Sequence, residues 1–135
     1  MHPRSCLPIL TALVVIARRT PAQATSAGTS PLGVWRGTSL CLVKPSPCND
    51  ETVVYRITRV KRSDSLAVDA RKIVNGHEEE MGVLRCAVGT RDETLTCTIP
   101  RAVWRFTIRG DSLVGELRLS DNTKFRDVRT ARSRH

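Results

Sequence analysis

Residues 102–119 read Ala-Val-Trp-Arg-Phe-Thr-Ile-Arg-Gly-Asp-Ser-Leu-Val-Gly-Glu-Leu-Arg-Leu. Two runs in this stretch alternate with a period of two. Trp104, Phe106 and Ile108 share one face, with Arg105 and Thr107 opposite; after Gly110-Asp111, residues Leu113, Gly115, Leu117 and Leu119 share a face against Glu116 and Arg118. That is the pattern of two antiparallel strands, each dry on one side and wet on the other, joined by a tight turn. Toward the C-terminus, Asp121-Asn122 turns the chain into a further strand, Thr123 to Thr130. Toward the N-terminus, Pro100-Arg101 and Arg91-Asp92 bracket Thr94 to Ile99, and Met81 to Val88 precedes them. Asn75-Gly76 is the strongest hairpin signal, because a type I′ turn needs positive φ at both central positions. Ser65 to Val74 enters it, with Leu66, Val68 and Ala70 on one face. Lys61 to Asp64 separates that strand from Thr52 to Val60, where Val53, Tyr55 and Ile57 align. Lys44-Pro45-Ser46-Pro47 ends the first strand, Gly33 to Val43, since proline cannot donate to a ladder.

Eight short strands over residues 33–130, each turning back on its predecessor, predict an all-β, up-and-down antiparallel fold with no helix to cover exposed edges. Closure into a barrel removes those edges, and a β-sandwich is the alternative. Thr25 to Leu32 is small, polar and patternless and reads as a flexible lead-in; residues 131–135 read as a frayed, disordered tail.

The cysteines check this strand register independently. A turn centred on Arg91-Asp92 pairs residues whose numbers total 183, and Cys86 and Cys97 meet that condition. The two face each other across the hairpin within the separation a disulfide tolerates. Leu84 and Val88 share the face of Cys86, and Leu95 and Ile99 that of Cys97, so this bond is expected on the buried side. Cys41 and Cys48 enclose six residues, two of them proline, and are expected to staple the first loop. No CxxC spacing and no nearby histidine pair points to zinc, and no metal or cofactor is expected.

Residues 1–24 read as a signal peptide. Leu7 to Ala17 is an apolar run of eleven residues, too short to span a bilayer, and Ala22-Gln23-Ala24 supplies the small-x-small pattern of a cleavage site. Arg18 and Arg19 follow the apolar run, whereas a twin-arginine signal places its pair before it. Cleavage after Ala24 leaves nineteen basic and thirteen acidic side chains, a net charge of +6. Cys6 is expected to leave with the signal, and the four remaining cysteines in an exported chain imply an oxidising compartment, secreted or periplasmic, and two disulfides.

Gly33-Val34-Trp35 at the start of the first strand resembles the lipocalin and wider calycin pattern. The resemblance implies a calycin-like barrel plugged at one end by the tryptophan, with an arginine of the last strand packed over its ring; Arg126 and Arg129 are the candidates. A guanidinium over an indole gains cation–π energy. Gly33 to Cys41, taken with Asn75 to Glu80 and Cys86, is also similar to small exported bacterial proteins of unassigned function.

No catalytic constellation emerges. His77 follows the Asn75-Gly76 turn beside three glutamates, with no partner indicated from another strand, and no nucleophile elbow is present. Arg109-Gly110-Asp111 matches an adhesion tripeptide, but a turn alone explains it. The expectation is a non-catalytic binding protein for a small apolar ligand or a protein partner, the latter including a protease-inhibitor mode through a loop or the lead-in. The candidate ligand-binding residues are Tyr55, Trp104, Phe106 and Leu117, which project from the apolar faces. The rival is a cationic surface that binds envelope polyanions through a stripe of Arg56, Arg71, Arg105 and Arg118. Nucleic acid fits less well, because only five aromatics exist to stack on bases.

Overall fold

The computed structural model describes residues 30–134; the expected signal peptide, most of the lead-in and His135 lie outside these residues. Eight antiparallel strands form a closed barrel in sequence order: β1 (Gly33–Cys41), β2 (Glu51–Arg59), β3 (Leu66–Val74), β4 (His77–Val88), β5 (Thr94–Ile99), β6 (Ala102–Arg109), β7 (Ser112–Leu119) and β8 (Lys124–Arg132). β1 closes the barrel against β8, pairing Trp35 with Arg132 and Cys41 with Arg126. Alternation places Leu66, Val68 and Ala70 of β3, and Leu113, Gly115 and Leu117 of β7, inside.

Asn75 and Gly76 carry φ of 50° and 80°, as the tight β3–β4 turn requires. Strand β4 starts at His77, four residues before the expected Met81, because this turn leads straight into the ladder. The run His77-Glu78-Glu79-Glu80 hides a strand, since it lacks polar–apolar alternation. A bulge follows: Ala70 pairs with Gly82 and Arg71 with Glu80, so Met81 is the extra residue.

Both expected disulfides are present. Cys86 and Cys97 stand 4.2 Å apart at Cα, and both are fully buried. The adjoining ladder pairs, Ala87 with Thr96 and Val88 with Leu95, have the expected register. Cys41 and Cys48 stand 5.9 Å apart and staple the β1–β2 loop.

The strand connections define two unlike ends. Trp35 is buried at the end formed by the β2–β3, β4–β5 and β6–β7 connections, and it donates from Nε1 to the Pro31 carbonyl at 2.9 Å. The arginine over its ring is Arg132, with the guanidinium carbon 4.2 Å from the centroid. Arg126 and Arg129 do not fill that role. Arg126 pairs with Cys41 near the opposite end, and Arg129 points outward onto Asp127 at 3.2 Å. The misassignment comes from ending the last strand at Thr130, because β8 runs on to Arg132. Arg132 also donates to the carbonyls of Leu32 at 2.8 Å and Ser30 at 2.7 Å, tying the last residues of the lead-in to the barrel.

Candidate functional site

The opposite half of the barrel holds a cavity of about 450 Å³. Two features of the sequence leave this space. Ala70 and Gly82 face each other across the β3–β4 ladder, two positions with little or no side chain to fill the interior. The twelve-residue β4 meets a six-residue β5 and pairs with it only at Ala87 and Val88. Beyond the Cys86–Cys97 bond, Met81–Leu84 and Ile99 therefore border the cavity from strands not joined there by a ladder.

The aromatic wall comes from β2 and β6. Trp104 stacks on Phe106 with ring centroids 5.6 Å apart and planes 4° from parallel. Tyr55 meets Phe106 edge-on at 5.7 Å. Phe106 lies over Gly115, its ladder partner, where a Cβ would collide with the ring. Of the four expected ligand-binding residues, Tyr55, Trp104 and Phe106 line the cavity. Leu117 does not: it faces the interior but is buried between its ladder partners Trp104 and Arg126.

A polar pole completes the site. Ser39, Glu51 and Arg126 also line the cavity. Arg126 donates to the Ser39 hydroxyl at 3.2 Å and to the Asn49 carbonyl at 3.1 Å, and its guanidinium lies 3.5 Å from Glu51. Lys72 approaches Glu51 from the other side at 3.9 Å. Burial pushes the Tyr55 phenol above its ordinary range, and the charge of Arg126 opposes that shift. Sequence alternation alone missed this pole. Lys72 has the same parity as the inward-facing Ala70, so its orientation was readable. Arg126 was not, because Phe125-Arg126-Asp127-Val128-Arg129 shows no clear apolar face.

The expected arginine stripe is divided. Arg56 and Arg71 lie on β2 and β3, whereas Arg105 and Arg118 lie on β6 and β7, across the barrel. Arg56, Arg71 and Arg118 are paired with Glu78 at 2.7 Å, Asp69 at 3.1 Å and Glu116 at 2.8 Å. His77 is exposed at the start of β4, and Asp111 of the Arg-Gly-Asp turn is engaged by Arg132 and Arg134. Among the described residues no group of three or more His, Cys, Asp or Glu is placed to hold a metal ion, and no helix is long and apolar enough to cross a membrane. The two disulfides are consistent with an oxidising, extracytoplasmic location. No protein-family model, curated protein or solved structure matches this chain.

Proposed function

We propose that this chain is an exported, non-catalytic binding protein that takes a small, largely apolar ligand into the cavity, in the manner of a lipocalin. The observation that carries the reading is the half-filled barrel. One end is packed around Trp35, while the other keeps a space of about 450 Å³ walled by Tyr55, Trp104 and Phe106. That size lies within the range of small-molecule sites, roughly 300–1,000 Å³. An apolar wall supplies the driving force, and the few polar groups at Ser39, Glu51 and Arg126 orient the ligand. The seam between β4 and β5 offers an entrance, because side chains rather than ladder bonds close it.

The test uses the neutral fluorophore Nile red. Saturable one-to-one uptake with a blue-shifted emission is expected, together with its loss in Ala70→Phe, which fills the space between β3 and β4. Absence of uptake at micromolar protein, or undiminished uptake by a folded Ala70→Phe, would overturn the proposal.

A further inference from the structure

At the Trp35 end a second concavity lies on the outside of the barrel. It is a groove of about 590 Å³ lined by Gly33, Val34 and Arg36 of β1, Arg56 of β2, and Arg132, Ser133 and Arg134 of the C-terminal segment. The Ser133 amide donates to the Val34 carbonyl at 2.7 Å and holds that segment against β1. Four guanidinium groups thus come together on three parts of the chain that are distant in sequence.

Two carboxylates organise them. Glu78 lies 3.4 Å from Arg36 and 2.7 Å from Arg56. Asp111 lies 3.2 Å from Arg132 and 3.3 Å from Arg134. Four positive charges against two negative ones leave the groove cationic. The outer pair, Arg36 and Arg134, each spend a single nitrogen on a carboxylate, and their side chains are 50% and 89% exposed. Their remaining N–H groups are available as forks. Arg59, Lys61 and Arg62, exposed around the β2–β3 connection together with one carboxylate, Asp64, add net positive charge at the same end of the barrel.

We propose that this groove binds the sulfate or phosphate ester groups of an anionic polysaccharide. A guanidinium fork matches the oxygens of a tetrahedral ester bidentately, and Arg56 and Arg132 are already held in place by multiple hydrogen bonds, which lowers the entropy cost of binding. A chain with repeated esters can engage the groove and the exposed basic residues beyond it together. No aromatic side chain lines the groove, so it lacks the stacking platform that single-stranded nucleic acid uses. The site is separate from the interior cavity, and either can fail without the other.

The experiment measures binding of a fluorescent heparin octasaccharide to the full chain by polarisation between 50 and 200 mM salt, with a twelve-residue oligothymidylate as the second probe. Arg36→Gln/Arg134→Gln is expected to weaken heparin binding by about tenfold at low salt and to flatten the log–log salt slope by about 2, one per lost ester contact. Arg105→Gln/Arg118→Gln removes the same charge from β6 and β7, outside the groove, and is expected to change affinity less than about twofold. Equal losses in the two double variants would show a response to net charge alone and overturn the site. So would absence of heparin binding at 50 mM salt, or equally tight binding of the oligothymidylate.

Discussion

Trp35 has no exposed surface, a hydrogen bond to Pro31 and a guanidinium over its ring, so three kinds of interaction converge on one side chain. Trp35→Ala is expected to cost about 3–5 kcal/mol, as large aromatic truncations in cores do. Arg132→Ala is expected to cost less, about 1–2 kcal/mol, because its ring contact is partly solvated. Urea unfolding of the two variants checks the order; a Trp35→Ala cost below about 1 kcal/mol would contradict the plug. The role of Trp35 was readable from its place at the first strand, but its partner was not. Arg126, Arg129 and Arg132 look alike in sequence, and only the β1–β8 register separates the arginine over the indole from the one in the cavity and the one outside. Gly115→Val puts a side chain where the Phe106 ring lies and is expected to lower both stability and Nile red uptake, since the ring must move into the cavity. Unchanged uptake would place the ligand elsewhere.

Among the elements, β4 and β5 matter most to the site, because their unequal lengths open the seam. The alternation of β5 and β7 revealed their limits, Thr94 to Ile99 and Ser112 to Leu119, because apolar and polar residues interleave throughout β5 and, Val114 apart, in β7. The first half of β4 was illegible for the opposite reason: its glutamates are held in the ladder by backbone pairing with β3, and only then does Glu78 reach Arg36 and Arg56. The cavity follows from the short β4–β5 ladder and from the Ala70–Gly82 pair beside the bulge, and neither leaves a mark in hydrophobic periodicity. The Cys86–Cys97 bond stands where the seam begins. Replacing both cysteines with alanine is expected to cost about 2–4 kcal/mol and to speed hydrogen exchange at Ala87 and Val88, the two β4 residues that pair with β5. Calorimetry and exchange mass spectrometry read these effects. Unaltered protection at Ala87 and Val88 would show that the short ladder holds the seam without the bond.

At the scale of the whole molecule, a positively charged chain keeps its outer faces ordered by pairing many of its arginines and lysines with a few carboxylates. Hydrogen bonds from Arg56, Arg118 and Lys124 hold Glu78, Glu116 and Asp127, respectively, below the ordinary carboxylate range. Groups with lowered folded-state values contribute stability that is fully present above the unfolded value and is lost as pH falls through the folded one. Thermal stability is therefore expected to be level from neutral pH down to about 5 and to decline below about 4. A melting temperature that rises on acidification through that window would contradict these pairings. The same barrel has a half-open interior cavity and an exterior end rich in arginine. The two tryptophans divide between the halves: Trp104 stands on the cavity wall, and Trp35 is sealed at the other end with its Nε1 bonded to Pro31. A two-dimensional ¹H–¹⁵N spectrum recorded during titration with a neutral apolar ligand reads both indoles at once. The Trp104 indole and the Ala70 and Gly82 amides are expected to shift together and saturate while the Trp35 indole stays in place; shifts confined to the outer strand faces, or none at these three positions, would contradict binding in the cavity.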